Sequence, residues 1–137
     1  MKTGITRKIA ILGMSLMGMA LFGGETVETP QISWEPFEPP ASAFYNQRDK
    51  FAHPPEIIPP TFLWPFELRR SIILGETITL VQIGRDGCPR RIAVLSSTDK
   101  LFTRSTILAL EKARWTAGVG DVWFYYRTVF DPEKMLK

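Results

Sequence analysis

The sequence is poor in the two side chains that most often carry catalysis or bind metal ions. It has one histidine, His53, and one cysteine, Cys88. A lone cysteine cannot close a disulfide within its own chain, and a single histidine with no cysteine close by does not make a zinc site. Carboxylate pairs, Cys-His sets and phosphate-binding loops are not recognisable either. We therefore expect a protein that is not an enzyme and that uses no cofactor and no metal.

Acidic residues are missing from the N-terminal stretch. Three basic residues stand in the first eight positions, and an apolar run from Ile9 to Gly24 follows before the first acid, Glu25. This layout is typical of an export signal. The run of 16 residues is also shorter than the roughly 20 that a spanning helix needs. We expect residues 1–24 to be a signal peptide cleaved after Ala20, with a short membrane anchor as the alternative.

The positive charge of the chain comes from this same stretch. The chain has 17 basic and 14 acidic residues, a formal net charge of +3. Removal of the three N-terminal basic residues leaves 14 of each sign. Nucleic acid is therefore not predicted as a partner.

Residues 25–61 are predicted to form a proline-rich tether. Nine of the 11 prolines lie between Thr29 and Pro65, and each removes a backbone donor and disfavours helix in the residue before it. The segment should be extended and largely unpaired. Its aromatic residues either pack loosely on the following domain or dock a partner, and His53 is expected to be a solvated linker residue.

The second half of the chain carries the fold. Two alternating, β-branched runs flank Asp86-Gly87, which predicts a hairpin with its bend at this pair rather than a reactive loop around Cys88. A helix should follow, with Thr103 as its N-cap and an end at 117–120. Its apolar stripe predicts that Ile107, Leu110 and Trp115 are buried, with Leu108 widening the stripe. The run VWFYYRTVF, 122–130, reads as a final strand.

This second half resembles the C-terminal domain of TonB-type energy-transducing proteins. The shared features are an aromatic-Pro pair, two arginines, an Ile-x-Gly before the first strand, a Gly turn, a Ser-Ser pair and an Ala-x-aromatic at the end of the long helix. In this sequence they are Trp64-Pro65, Arg69 and Arg70, Ile73-x-Gly75, Asp86-Gly87, Ser96-Ser97 and Ala113-x-Trp115. The match covers about half of the chain, Phe62 to Pro132.

The resemblance implies a fold. It is a small α+β TonB C-terminal-like domain over residues 62–132, in the order helix, strand, strand, helix, strand. Its antiparallel three-stranded sheet packs against the helices, and residues 133–137 form a tail.

The resemblance also implies a function. The protein would be a periplasmic, cell-envelope protein that binds an outer-membrane transporter by β-strand addition and takes part in energy-coupled transmembrane transport. Its partners would be a receptor peptide and inner-membrane, proton-driven motor proteins, and a second copy of the chain is a further candidate. The family's membrane helix usually carries a histidine, and the apolar run here has none. The alternative is therefore an exported periplasmic scaffold or adaptor with no coupling to the motor.

The final strand is the predicted partner-binding site. A strand addition needs an exposed sheet edge, and this strand is long and closes the domain. Trp123, Tyr125, Arg127 and Val129 share one face by the period of two and are the predicted binding residues. The competing interpretation is that both faces are simply covered, one by the helices and one by the proline-rich segment or a second copy.

Overall fold

The computed structural model describes residues 29–118 and 120–136, so the predicted export signal or anchor lies outside the described residues. The protein is α+β, with strands and helices in mixed order. The strands are β1 Gln31–Ser33, β2 Glu56–Ile58, β3 Gly75–Ile83, β4 Pro89–Ser97, β5 Arg114–Trp115 and β6 Val122–Phe130. The helices are α1 Lys100–Lys112 and α2 Pro132–Met135, and single 3₁₀ turns cover Ala41–Ala43 and Phe66–Leu68. None of the described helices is long and apolar enough to cross a membrane.

The main sheet has four strands where three were expected. Its order is β1-β4-β3-β6. Strands β4, β3 and β6 are antiparallel to their neighbours, and β1 adds in parallel, with Gln31 opposite Arg91. Strand β1 has only three residues, too few to show an alternating pattern in the sequence. It forms because the outer side of β4 offers unpaired backbone groups. Strands β2 and β5 form a separate two-stranded sheet.

The β3–β4 hairpin bends where the sequence predicted. The Gly87 N–H donates to the Gly84 carbonyl at 3.0 Å, and the Asp86 carboxylate accepts from the Cys88 N–H at 3.0 Å. Gly87 has φ 80, and no described non-glycine residue has a positive φ. The turn therefore needs a left-handed residue at Gly87 alone, and the return strand begins at Pro89.

Helix α1 begins and ends earlier than predicted. Asp99, not Thr103, is the N-cap, because its carboxylate accepts the Leu101 N–H at 2.8 Å. The helix ends at Lys112 because Ala113 is extended, with ψ 155, and leads into β5. The predicted end at 117–120 is therefore wrong.

Burial along this region follows the predicted stripe in part. Leu110 and Trp115 are fully buried, as predicted. Ile107 is only half-buried, and Leu108 points into solvent. The helix therefore contacts the sheet through a narrower stripe than the sequence suggested.

The main sheet is covered on two sides by different parts of the chain. The helical face packs on α1 and β5, and its buried core contains Val81, Ile83, Ile92, Leu110, Ala113, Trp115 and Phe124. The opposite side, here called the segment face, buries Leu80, Ala93 and Trp123 under Phe37, Ala43 and Phe44 of the proline-rich segment. This segment lies mostly outside strands, but β1 and β2 are paired parts of it.

Candidate partner-binding edge

Strand β6 is an edge strand of the main sheet. It pairs with β3 over nine residues without a register shift, from Gly75 opposite Phe130 to Ile83 opposite Val122. Among the described residues no other strand pairs with its outer side, where one isolated bridge joins Phe44 to Trp123. The last strand of the sequence thus lies at the sheet edge, the position that strand addition requires.

The hydrogen bonds define which residues of β6 face outward. The Tyr45 N–H donates to the Trp123 carbonyl at 3.0 Å, so the backbone of Trp123 points away from β3. In an antiparallel pair every second residue shares this orientation. Tyr125, Arg127 and Val129 therefore also present their N–H and C=O groups to the outside. Within the described chain, the outward N–H and C=O groups of Tyr125, Arg127 and Val129 have no hydrogen-bond partner.

The proline-rich segment covers the beginning of this edge. Phe37 meets the ring of Trp123 edge-on at 5.7 Å, and Phe44 stacks on Tyr125 at 5.4 Å. The ammonium of Lys50 lies 4.8 Å from the centre of the Tyr125 ring, within cation–π range. Trp123 is consequently buried, whereas Tyr125 is only half-buried.

The second half of the edge is not paired with any described segment of the chain. Arg127 forms an ion pair with Glu76 of β3, and both side chains are substantially exposed. Val129, two residues further along, is 47% exposed. The four predicted binding residues thus lie along one edge and on the segment face, with Trp123 and Tyr125 under the segment and Arg127 and Val129 free of it.

The proline-rich segment also reaches the helical face of β6. His53 stacks on Tyr126 at 5.2 Å, and the Tyr126 hydroxyl donates to the Glu56 carboxylate at 2.8 Å. Burial, with a smaller contribution from Glu56, raises the pKa of Tyr126 well above its usual value. Phe62 packs against the same ring. Residues upstream of β3 therefore pack against both faces of β6.

His53 was expected to be a solvated linker residue, and this expectation is wrong. Its side chain is 29% exposed and lies 3.8 Å from the Glu56 carboxylate. The adjacent Pro54 is buried, which fixes the backbone beside the ring. Sequence reasoning missed this contact because Tyr126 is more than seventy positions away.

The hairpin loop offers no sign of a reactive thiol. Burial raises the pKa of the Cys88 thiol, so its thiolate fraction at neutral pH is small. Within residues 29–118 and 120–136, no three histidine, cysteine or acidic side chains gather closely enough to hold a metal ion.

No protein-family model matches the chain, and no curated protein sequence matches it.

Proposed function

We propose that the protein binds an extended peptide of an outer-membrane transporter by strand addition to the outer edge of β6. The observation that carries this proposal is the row of outward backbone groups at Tyr125, Arg127 and Val129, which no described segment of the chain occupies. An added strand would gain hydrogen bonds from these groups without a deep pocket.

The surroundings of the edge favour a short peptide. The isolated bridge at Phe44 and Trp123 stops a guest strand at the beginning of β6. About five residues, from Tyr125 to Val129, are then available, which corresponds to roughly 17 Å of strand. Val129 offers apolar surface beside this stretch, and Arg127 with Glu76 offers charge.

The cellular role comes from the resemblance to the TonB family. On this proposal the domain works in the periplasm, held near the inner membrane by a retained N-terminal segment, and links the transporter to proton-driven motor proteins. The proposal is supported by the antiparallel part of the main sheet, β4-β3-β6, and by the position of α1 between β4 and β6 in sequence, which is the order that the resemblance implies.

A second candidate is an exported adaptor that never meets the motor. The packing of Phe37, Phe44 and His53 on the sheet favours it, because a segment folded onto its own domain spans less distance than a free tether. Sequencing the N-terminus of the protein from a cell-envelope fraction separates the two. A chain that begins after Ala20 favours the adaptor, and a retained N-terminus favours the transducer.

Proline substitution at Arg127 tests strand addition directly. The N–H of this residue points outward, so Arg127→Pro removes a donor for the guest strand and leaves the β3–β6 ladder complete. We expect affinity for peptides from the N-terminal plugs of candidate transporters to fall about tenfold or more. Fluorescence anisotropy on the full chain measures it, and circular dichroism checks the fold.

Two controls make this test specific. Arg127→Ala removes the same side chain but keeps the N–H, so it should bind within about threefold of the parent, because strand addition depends mainly on backbone groups. Thr128→Pro removes a donor of the β3–β6 ladder itself and should destabilise the sheet. Equal binding by the folded Arg127→Pro variant and the parent would refute the proposal. A parent that binds no plug peptide, and a dimer that Arg127→Pro converts to a monomer, would assign the edge to a second copy of the chain.

A further inference from the structure

Exposed aliphatic and basic side chains gather on the side of the molecule that carries the outer surface of α1. Residues 63–67 run along this helix, since Ser105 hydrogen-bonds the Leu63 carbonyl and Arg104 pairs with Glu67 at 3.0 Å. The Arg69 guanidinium lies 4.2 Å from the centre of the Phe66 ring, and residues 70–74 follow directly in sequence. These residues and the outer side of α1 are here called the apolar-basic surface. Its members are Leu63, Phe66, Ile72, Leu74 and Leu108 with Arg69, Arg70, Arg104 and Lys112.

The apolar part of this surface is unusually exposed. Ile72 is 82% exposed, and Leu63, Phe66 and Leu74 each show about two thirds of their side chains to solvent. Contiguous apolar side chains in water mark an interaction site more often than a free surface. None of these residues takes part in the β6 edge, so the surface is separate from the proposed transporter site.

The charge of the surface favours an anionic partner. Glu67 is the one acid between Thr61 and Gly75, and it already pairs with Arg104. Arg69 and Arg70 are exposed beside three consecutive aliphatic residues, Ile72 to Leu74. An anionic partner would therefore find both cations and apolar anchors in the same place.

The high exposure of Ile72 and Leu74 favours a flat partner over an enclosed one. An open groove of about 690 Å³ runs beside α1, with Leu63, Phe66 and Leu108 in its apolar lining and Lys112 among its cations. The aliphatic residues 72–74 are not part of the lining of that groove. Aliphatic side chains that project beside arginines suit shallow insertion at the boundary between lipid headgroups and acyl chains.

We infer that the apolar-basic surface docks on an anionic lipid bilayer. Ile72 and Leu74 would enter the headgroup boundary, and Arg69 and Arg70 would bind lipid phosphates. This inference does not depend on the proposed transporter role, because it uses neither β6 nor the segment face.

A fluorescent probe at Leu74 tests the inference. In the full chain with Cys88→Ala, Leu74→Cys is labelled with an environment-sensitive dye, and Ile57→Cys is the matched control. The two native side chains have nearly equal exposure, 67% and 65%, but Ile57 lies outside the surface. The probe reports its own surroundings, so binding of the vesicle through the N-terminal segment does not produce the signal.

With phosphatidylglycerol vesicles we expect a blue shift and a severalfold rise in emission at position 74, quenched by lipids that carry a nitroxide near the headgroup. Phosphatidylcholine vesicles should give little response, and position 57 should give little with either lipid. Equal responses at both positions, or equal responses to both lipids, would overturn the inference. A blue shift at 74 that grows with protein concentration in the absence of vesicles would instead assign the surface to a second copy.

Charge reversal provides an independent check. In the Leu74→Cys background, Arg69→Glu with Arg70→Glu should raise the phosphatidylglycerol concentration needed for half the response more than about tenfold. The matched control is Arg48→Glu with Arg85→Glu, which makes the same change in net charge at exposed positions elsewhere and should shift it only slightly. Equal shifts in the two double variants would mean that net charge alone, and not this surface, attracts the vesicles.

Discussion

The two faces of the main sheet are covered in different ways. The helical face is covered mainly by α1 and β5, which lie between β4 and β6 in sequence, and its core contains seven fully buried residues. Ile32, His53 and Phe62 also pack on this face. The segment face buries three residues under side chains that come from far upstream. Helix α1 and strand β5 belong to the same hairpin–helix–strand unit as the sheet they cover. The proline-rich segment lies outside this unit and is added to it from upstream. The helical face should therefore hold the fold together, and the segment face should control access to the β6 edge.

The largest effect is expected where the hairpin meets the helical face. The Trp115 N–H donates to the Gly87 carbonyl at 2.9 Å, and a Cβ on Gly87 would lie 2.0 Å from the Trp115 carbonyl oxygen. Gly87→Val should cost at least about 3 kcal/mol of unfolding free energy, measured by urea denaturation. Gly118→Val is the control, because Gly118 has φ 90 but nothing within 4 Å. It should cost about 1 kcal/mol, and equal losses would show that the backbone approach does not matter.

The core of the helical face should be the next most sensitive region. Leu110 is fully buried, so Leu110→Ala should lower the free energy of unfolding by about 2 to 5 kcal/mol. Leu108 lies on the same helix and is exposed, so Leu108→Ala should change it by less than about 0.5 kcal/mol. Similar losses from the two variants would contradict the observed orientation of α1.

The segment face should tolerate truncation better. Phe44 is half-buried and stacks on Tyr125, so Phe44→Ala should cost about 1 to 2 kcal/mol, less than Leu110→Ala. It should also quicken hydrogen exchange at the Tyr45 amide, which the Trp123 carbonyl now protects. A loss as large as that of Leu110→Ala would mean that the two faces are equally important for the fold.

The smallest effect is expected at the open end of β6. The Arg127–Glu76 pair joins two exposed side chains, and such pairs contribute about 0 to 1 kcal/mol. A double-mutant cycle with Arg127→Ala and Glu76→Ala should give a coupling in this range that shrinks in high salt. A larger, salt-insensitive coupling would show that this edge is more rigid than its exposure suggests.

The sequence was most informative where structure depends on neighbouring residues. The bend at Asp86-Gly87, the burial of Leu110 and the long strand over 122–130 follow from local periodicity and turn chemistry, and the structure has them. Trp115 is also buried as predicted, but it lies in β5 beyond the end of the helix, so helical periodicity does not account for its burial. The N-cap was misplaced by four residues. The Asp99 carboxylate caps the helix, and Thr103 lies inside its first turn, where its hydroxyl donates to the Asp99 carbonyl.

Contacts between distant parts of the chain were not predictable in this way. The parallel β1 strand and the stacking of His53 on Tyr126 join residues about sixty or more positions apart. Proline-rich sequence indicates extended backbone, but it does not say which surface that backbone follows. The edge position of β6 can be read from the structure, while its role in binding stays a proposal.

The prolines of the N-terminal segment have a consequence for conformational entropy. Each proline already has its φ fixed in the unfolded chain, so ordering it on the sheet costs less entropy than ordering another residue. A few contacts, at Phe37, Phe44 and His53, can therefore hold a long stretch in place. For the same reason the segment gains little entropy when it detaches. If the proposed strand addition occurs at β6, displacement of the segment by a guest strand at Trp123 would be governed by the aromatic contacts, and these would set how much of the edge the guest strand reaches.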